Sequence, residues 1–187
     1  MAIFFTSDLH LWHDRGFIYR PRGFENIDDM NRVILENWHN TIQPDDEVYL
    51  LGDVALGTDY DLIRETVGKL PGKIHIIIGN HDTDKKIEIY ESLSNVVEVV
   101  YATIVKIGKY SFYLSHYQTK TASLETRPEH ALYNIHGHIH TKDKFFQDNP
   151  YFYNVSCDSQ NCMPVKAEDM IADIENEVKK CIELLDV

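Results

Sequence analysis

Cysteine is scarce in this sequence of 187 residues, which contains only three. Cys157, Cys162 and Cys181 are odd in number and lack the paired spacing of a zinc ribbon, so we expect reduced thiols and no disulfide framework. A basic leader is also missing, because the opening residues MAIFFTSD contain no lysine or arginine and their apolar run ends at Asp8. This start predicts neither a secretory signal nor a membrane span, and we expect a cytoplasmic protein.

Basic side chains are outnumbered, since 18 lysines and arginines face 30 aspartates and glutamates, which gives a formal charge of −12. An acidic surface repels polyanions at long range, so a long nucleic acid is not expected as a partner. A bound metal ion would still make the field positive locally. The hydrophobic fraction of 43% is that of an ordinary folded protein, and the length predicts a single domain over residues 1–187.

The first half of the chain alternates apolar runs with helical patterns. Three short runs, AIFFTSD, EVYLLGD and KIHIIIGN, predict buried strands. Between them, apolar residues recur at helical spacing from Asp28 to Ile42, with Asp28 as the predicted N-cap, and again within DYDLIRETVGKL. This alternation is typical of βαβ units and indicates a mostly parallel sheet.

The second half is rich in β-forming residues from about Val96. The runs VVEVVYATIVKI and YSFYLS flank Gly108-Lys109, which predicts a tight hairpin, and ALYNIH and YFYNVS predict two further strands. Apolar residues at helical spacing from Ala167 onwards predict a closing amphipathic helix. The expected structure is an α/β fold of two sheets packed face to face, with helices outside.

Polar side chains stand where the predicted strands end. Ligands of open α/β sheets bind beyond the carboxyl ends of the strands, so these side chains are expected to converge on one crevice. The groups with metal-binding atoms are Asp8, His10, Asp53, Asn80, His116, His138 and His140. Their carboxylate, imidazole and amide donors suit manganese, iron, nickel or zinc ions rather than copper(I). Seven donors exceed the needs of one ion, whereas two ions that share a carboxylate would use them all.

The same residues form an ordered pattern, D-x-H, G-D, G-N-H-D, a lone histidine and G-H-x-H. In this order they resemble the calcineurin-like metallophosphoesterases, and the likeness extends from Ile3 to the final helix. The surroundings are similar to those of small stand-alone bacterial and phage members. The resemblance implies a four-layer fold in which two packed mixed β-sheets are flanked by helices.

The resemblance also implies a role for each residue. The ligands implied for the first ion are Asp8, His10 and His140. Those implied for the second ion are Asn80, His116 and His138. Asp53 would bind both ions. His81 would act as general acid beside the ions, with Asp82 orienting its ring. The implied activity is hydrolysis of a small phosphomonoester or phosphodiester by a hydroxide that bridges the two ions.

Two alternatives stay open. A nuclease or a cyclic-nucleotide phosphodiesterase would use the same residues on another substrate, although the acidic composition argues against a long duplex. A non-catalytic metal-binding scaffold would keep the fold without turnover. Scaffolds related to this family typically have replaced active-site histidines, whereas His81 and all the metal positions are present here.

Several residues near the pattern are harder to assign. They lie in two long loops, 11–27 and 117–130, and loops of this length are often functional. Guanidinium groups suit phosphate recognition, and the sequence leaves open whether substrate is contacted by His13, Arg20, Arg22 or Arg127. His136 precedes G-H-x-H, and we expect it to pack behind the ligands rather than to bind metal.

Overall fold

The computed structural model describes residues 1–122 and 126–185, without the side chains of residues 148, 184 and 185. The first eight elements are β1 (Ile3–Thr6), α1 (Gly16–Tyr19), α2 (Ile27–Thr41), β2 (Glu47–Leu50), α3 (Tyr60–Gly68), β3 (Lys73–Ile77), α4 (Asp84–Glu91) and β4 (Val96–Val100). The later ones are β5 (Ala102–Ile107), β6 (Tyr110–Ser115), β7 (Leu132–His136), β8 (Phe152–Asn154), β9 (Val165–Lys166) and α5 (Ala167–Leu185). Short 3-10 helices cover Pro128–His130 and Phe146–Asp148.

The strands form two sheets. The first has the order β4-β3-β2-β1-β9, with β1 to β4 parallel and β9 antiparallel beside β1. The second has the order β5-β6-β7-β8, with β5 antiparallel to β6 and the other neighbours parallel. The predictions of a mostly parallel first sheet and of two mixed sheets flanked by helices are confirmed.

Two hydrophobic cores hold these layers together. Successive side chains of a strand point to opposite faces, so Phe4 of β1 lies in the core shared with α2 and Phe5 lies in the other. In the first core Trp38 of α2 is 1% exposed. The second core contains side chains of both sheets, such as Phe5 and Ile135, together with Ile174 of α5. The two sheets therefore pack against each other, and apolar burial of this kind is the main stabilising contribution to the fold.

The run VVEVVYATIVKI supplies one strand to each sheet. β4 ends at Val100 and β5 begins at Ala102, and the side chain between them, Tyr101, is 75% exposed. The predicted hairpin between β5 and β6 is confirmed, because Ile107 pairs with Tyr110 across a loop of two residues. Gly108 takes a left-handed φ of 58° in this loop, as such hairpins require.

Helix α4 is not predicted by the sequence pattern. Its buried positions are Lys86, Ile89 and Tyr90, so a lysine occupies a place in the helical repeat where an apolar residue would signal the helix. The amine of Lys86 is satisfied there because it donates to the carbonyl oxygens of Ala55 at 2.6 Å and His81 at 2.9 Å. The elements α1 and β9 are also additions, and both are too short for periodicity to reveal.

The structure also bears on the predictions for the cysteines, for a membrane span and for the loop 117–130. Cys157 and Cys162 are buried, reduced thiols, as predicted. Within the described ranges, no helix combines the length and the apolarity needed to cross a lipid bilayer. The predicted loop 117–130 includes residues 123–125, which lie outside the described part of the chain.

Helix α2 begins two residues earlier than predicted, because its cap is Asn26 and not Asp28. The side-chain oxygen of Asn26 accepts a hydrogen bond from the main-chain N–H of Asp29 at 2.9 Å. Asp28 lies inside the first turn. The prediction that Asp28 is the N-cap is therefore wrong, and its carboxylate is placed in the first turn, where it interacts favourably with the helix dipole.

This assignment predicts that Asn26→Ala lowers the free energy of unfolding by about 1 kcal/mol, because an N–H of the first turn loses its acceptor. Asp28→Ala is the matched control and should cost less, since it removes no cap. Denaturant unfolding of both variants gives the two values. A larger loss for Asp28→Ala than for Asn26→Ala would contradict the cap.

Candidate metal centre

The predicted donors lie in loops that follow β1, β2, β3, β6 and β7. The first two loops run side by side, since the main-chain N–H of Asp8 donates to Gly52 and that of His10 donates to Asp53, each at 3.0 Å. Asp8, His10 and His140 have ligand atoms within 4.8 Å of one another, and the same is true of Asp8, Asp53 and His116. The strand ends therefore converge as expected from the sheet topology.

Asp53 lies between two groups of donors. Its Oδ2 is 3.5 Å from Nε2 of His10 and 3.6 Å from Nε2 of His116. Its Oδ1 accepts a hydrogen bond from the main-chain N–H of His81 at 2.8 Å, which fixes the carboxylate. One oxygen of Asp53 is thus directed towards both groups at once.

The first group contains a buried oxygen without a hydrogen bond. Oδ1 of Asp8 lies 3.7 Å from Nε2 of His10 and 3.7 Å from Nε2 of His140. Among the described residues, this oxygen has no hydrogen-bond partner. The other oxygen, Oδ2, accepts from Ser7 Oγ at 2.6 Å and from the main-chain N–H of His138 at 2.9 Å. A buried carboxylate oxygen that faces two imidazoles is what a cation ligand requires.

The second group is built around His116. Nε2 of His116 lies 3.0 Å from Oδ1 of Asn80. The ring of His138 is edge-on to that of His116, with centroids 5.1 Å apart, and Tyr117 contacts both rings. Asn80 and His138 therefore both lie next to His116.

The histidines present the nitrogen that a metal would use. Nδ1 of His116 is 2.7 Å from the carbonyl oxygen of Leu51, an acceptor, so Nδ1 carries the proton and Nε2 has a free lone pair. Nδ1 of His140 is likewise held by Asp158 at 2.9 Å, and Nδ1 of His10 lies 3.1 Å from Nδ1 of His13. Such partners on the remote nitrogen orient metal-binding histidines.

Burial is the largest influence on ionisation in this site. It favours the neutral form of Asp8, yet the ring of His10, 3.7 Å away, and the other nearby imidazoles hold the pKa of Asp8 below its usual value. Burial lowers the pKa of His10 and of His138. Burial and the neighbouring His10 lower the pKa of His13 to about 4, so this ring is neutral at pH 7. Ionised carboxylates and neutral imidazoles are the forms that bind metal, and the residues present therefore fit a metal centre.

The backbone of the donors is strained. Nine non-glycine residues of the described chain have a left-handed φ, and five of them are predicted ligands. These five are Asp8, His10, Asp53, His138 and His140. Each such conformation costs about 1–3 kcal/mol and is typical of functional sites. The clustering supports the site independently of the donor chemistry.

His81 lies beside the donors and is more exposed than His10, a predicted ligand whose ring it contacts. Its side chain is 42% exposed, and its Nε2 is 4.0 Å from Oδ2 of Asp53. The carboxylate of Asp82 accepts hydrogen bonds from the main-chain N–H groups of Asp53 and Gly79, at 2.8 and 2.9 Å, and from the hydroxyl of Tyr90. The sequence led us to expect a contact between Asp82 and the ring of His81, whereas these hydrogen bonds come from main-chain N–H groups and from Tyr90. Asp82 instead joins the loop after β3 to the loop after β2.

The unassigned residues separate into three kinds. His13 contacts the rings of His10 and His81, so it borders the site. The side chain of Arg22 is 1% exposed, which makes it part of the interior rather than a surface contact for substrate. Arg20 and Arg127 are exposed. His136 is buried behind the ligands, with Nδ1 2.9 Å from the carbonyl oxygen of Gly137.

Asp158 is a site residue that the sequence reasoning missed. It contacts His140 and Arg22 from the segment after β8. A signal for it existed, because Asp158 is the second residue after the predicted strand YFYNVS, just as His138 is the second residue after ALYNIH. Applying the strand-end rule to this last strand would have found it.

Comparison with known proteins agrees with this arrangement. The family model described as "Calcineurin-like phosphoesterase superfamily domain" matches residues 1–175. The chain belongs to the calcineurin-like phosphoesterase superfamily. The prediction of a metal-dependent phosphoric ester hydrolase is thereby confirmed at the level of the family.

Individual relatives span nearly the whole chain of this calcineurin-like phosphoesterase. An uncharacterized protein of Methanocaldococcus jannaschii is 30% identical over 178 residues, which cover 92% of this chain and 91% of the relative. The gene 66 protein of Mycobacterium phage D29 is 24% identical over 199 residues, with coverages of 92% and 97%. The crystal structure of a protein of unknown function from Aquifex aeolicus has a TM-score of 0.66 at 23% identity, over 91% of this chain and 98% of that one. The last of these shows a shared fold.

The close contact of Gly137 with the site gives a stability prediction. A Cβ at this position would overlap Ser7 Oγ and Asp8 Oδ2. Gly137→Ala should therefore lower the free energy of unfolding by about 1–3 kcal/mol, as overpacking does. The matched control is Gly16→Ala, whose Cβ would meet only the flexible side chain of Arg20 at 3.2 Å. Denaturant unfolding of the metal-free variants measures both, and equal stabilities would contradict the contact.

Proposed function

We propose that this protein is a dinuclear metal-dependent phosphoesterase that hydrolyses a small phosphomonoester or phosphodiester. The observation that carries the proposal is the position of Asp53, whose Oδ2 lies 3.5 Å from Nε2 of His10 and 3.6 Å from Nε2 of His116. A carboxylate between two groups of ligand atoms is suited to bind two cations together.

The proposed ligands repeat the division expected from the sequence. The first ion would be held by Asp8, His10 and His140. The second ion would be held by Asn80, His116 and His138. Asp53 would bind both ions. Bound manganese, iron, nickel or zinc ions would supply positive charge to neutralise the phosphate and to activate water. The chain contributes ligand atoms that are oriented before binding, through the hydrogen bonds on the remote imidazole nitrogens.

His81 is the proposed general acid. Its side chain is 42% exposed, whereas those of His10 and His116 are at most 1% exposed, so His81 can reach a bound ester. A proton held on this imidazole would pass to the leaving alkoxide. Asp82, the proposed catalytic partner, supports His81 by bonding to the main chain of its loop, and Lys86 donates to the carbonyl of His81 itself.

The charge distribution supports a small substrate. Only Asp8 and Asp53 are carboxylates among the seven donors, so two dications would leave the pocket positive although the whole chain carries a formal charge of −12. A short phosphate ester meets the positive pocket, whereas a long polyanion meets the acidic surface. We also propose that residues 1–187 form one domain and that the protein is cytoplasmic, in keeping with the reduced thiols of Cys157 and Cys162.

Metal-free protein loaded with Mn²⁺, Ni²⁺ or Fe²⁺ should hydrolyse p-nitrophenyl phosphate, its bis ester or both, and EDTA should abolish the activity. Release of p-nitrophenol measures the rate, and elemental analysis measures bound metal. Two ions per chain with both esters intact would contradict the catalytic proposal and favour the scaffold. Metal content near zero would contradict the metal centre. Faster cleavage of a short oligonucleotide would favour a nuclease.

Two further variants separate the proposed roles. His81→Asn should reduce turnover by about 10²–10⁴-fold with metal content unchanged, because general acid catalysis is lost while no ligand is removed. Asp53→Asn should lower metal content as well as turnover, since Asp53 faces both groups of donors. His39→Asn, in the exposed part of α2, is the control and should alter neither quantity. Loss of metal from His81→Asn would show that His81 is a ligand.

A further inference from the structure

A buried ion pair lies beneath the candidate metal centre. The side chains of Arg22 and Asp158 are 1% and 7% exposed, although the two residues are 136 positions apart in the sequence. The pair is bidentate, because Nη2 of Arg22 is 2.7 Å from Oδ2 of Asp158 and Nε is 3.2 Å from Oδ1. Such paired hydrogen bonds are stronger and more directional than a single contact.

The pair connects three loops. Nη2 of Arg22 also donates to the carbonyl oxygen of Asp8 at 2.9 Å, and Nη1 is 3.4 Å from that of Leu9. On the other side, Oδ2 of Asp158 accepts from Nδ1 of His140 at 2.9 Å. The main chain of one proposed ligand, Asp8, and the ring of another, His140, are thus held by one pair of side chains.

The charge of Asp158 has a specific consequence for His140. A carboxylate accepts only, so it requires the proton on Nδ1 and leaves the lone pair on Nε2. That nitrogen is 3.1 Å from Nε2 of His10 and 3.7 Å from Oδ1 of Asp8. His140 is 32% exposed and would otherwise be free to rotate, since it lies at the rim. Asp158 therefore orients a ring that burial alone does not hold.

We propose that Asp158, anchored by Arg22, is a positioning residue for the first metal site, formed by Asp8, His10 and His140, and that its loss weakens this site selectively. The inference rests on the proposed dinuclear function. The second site has a different support, because the partner of His116 Nδ1 is the carbonyl oxygen of Leu51. In the described chain, the hydrogen bonds of Asp158 go to Arg22 and His140.

The test compares metal binding by the full-length wild type and by Asp158→Asn. Each protein is stripped with EDTA and titrated with Mn²⁺ in a calorimeter. The wild type should bind two ions, and in the variant one of the two affinities should fall by about 10–100-fold, as is usual when the partner of a ligand histidine is lost. The other affinity should not change.

Asp46→Asn is the matched control. Asp46 is also a buried carboxylate, 6% exposed, and it accepts from the main-chain N–H groups of Ala2 and Gln43 at the opposite end of β2. Its replacement should lower the melting temperature of the metal-free protein while both Mn²⁺ affinities stay at their wild-type values. This outcome separates a general loss of stability from a loss of positioning.

Arg22→Lys provides a second variant that keeps the positive charge and loses the bidentate geometry. It should weaken the same site by a smaller factor, and it serves in place of Asp158→Asn if that protein does not fold. A folded variant that binds both Mn²⁺ ions with wild-type affinity would overturn this inference and leave the proposed function intact. Equal losses of Mn²⁺ affinity at both sites would do the same. Wild-type protein that binds no metal would overturn both.

Discussion

Two carboxylates shielded from water govern the whole candidate centre. Asp8 is 0% exposed and Asp53 is 1% exposed, and removing such charges from water is costly unless positive groups or hydrogen bonds compensate. Around them the chain places imidazole nitrogens whose lone pairs, like Oδ1 of Asp8, point into a common space. A cation in that space would satisfy the carboxylates and the imidazoles together. This is the physical reason that the arrangement fits metal ions.

The strained backbone of the predicted ligands follows from the same requirement. Side chains at a strand end reach a shared point only if the chain turns sharply, and Asp8, His10 and Asp53 do so with left-handed φ values. The cost is offset by regular structure next to it. β1 and β2 are paired in register, and the pairing continues into the loops through hydrogen bonds of 3.0 Å from Asp8 and His10 to the neighbouring loop. A rigid sheet therefore holds the loops in conformations that they would not adopt alone.

Two buried cationic side chains, those of Arg22 and Lys86, also hold the loops of the centre in place. Arg22 donates to the carbonyl oxygen of Asp8, and Lys86 donates to that of His81. Both bind main-chain oxygens, so they hold the loops without competing for the ligand atoms. Burial lowers the pKa of Lys86, and the nearby carboxylates Asp82 and Asp53 oppose this effect. In this way a protein with a formal charge of −12 keeps positive side chains close to the centre that is proposed to receive phosphate.

The sequence alone determined the parallel sheet, the hairpin at Gly108 and the convergence of the predicted donors, because strand periodicity and strand ends are local features and parallel strands bring their ends together. The sequence pattern did not predict helix α4, because Lys86 interrupts its apolar repeat. Only the tertiary structure decided that Asp82 bonds to main chain, that Arg22 is buried, and that Asp158 holds His140. Such contacts join residues up to 136 positions apart, and they depend on how loops from different strands pack. No local pattern encodes that packing.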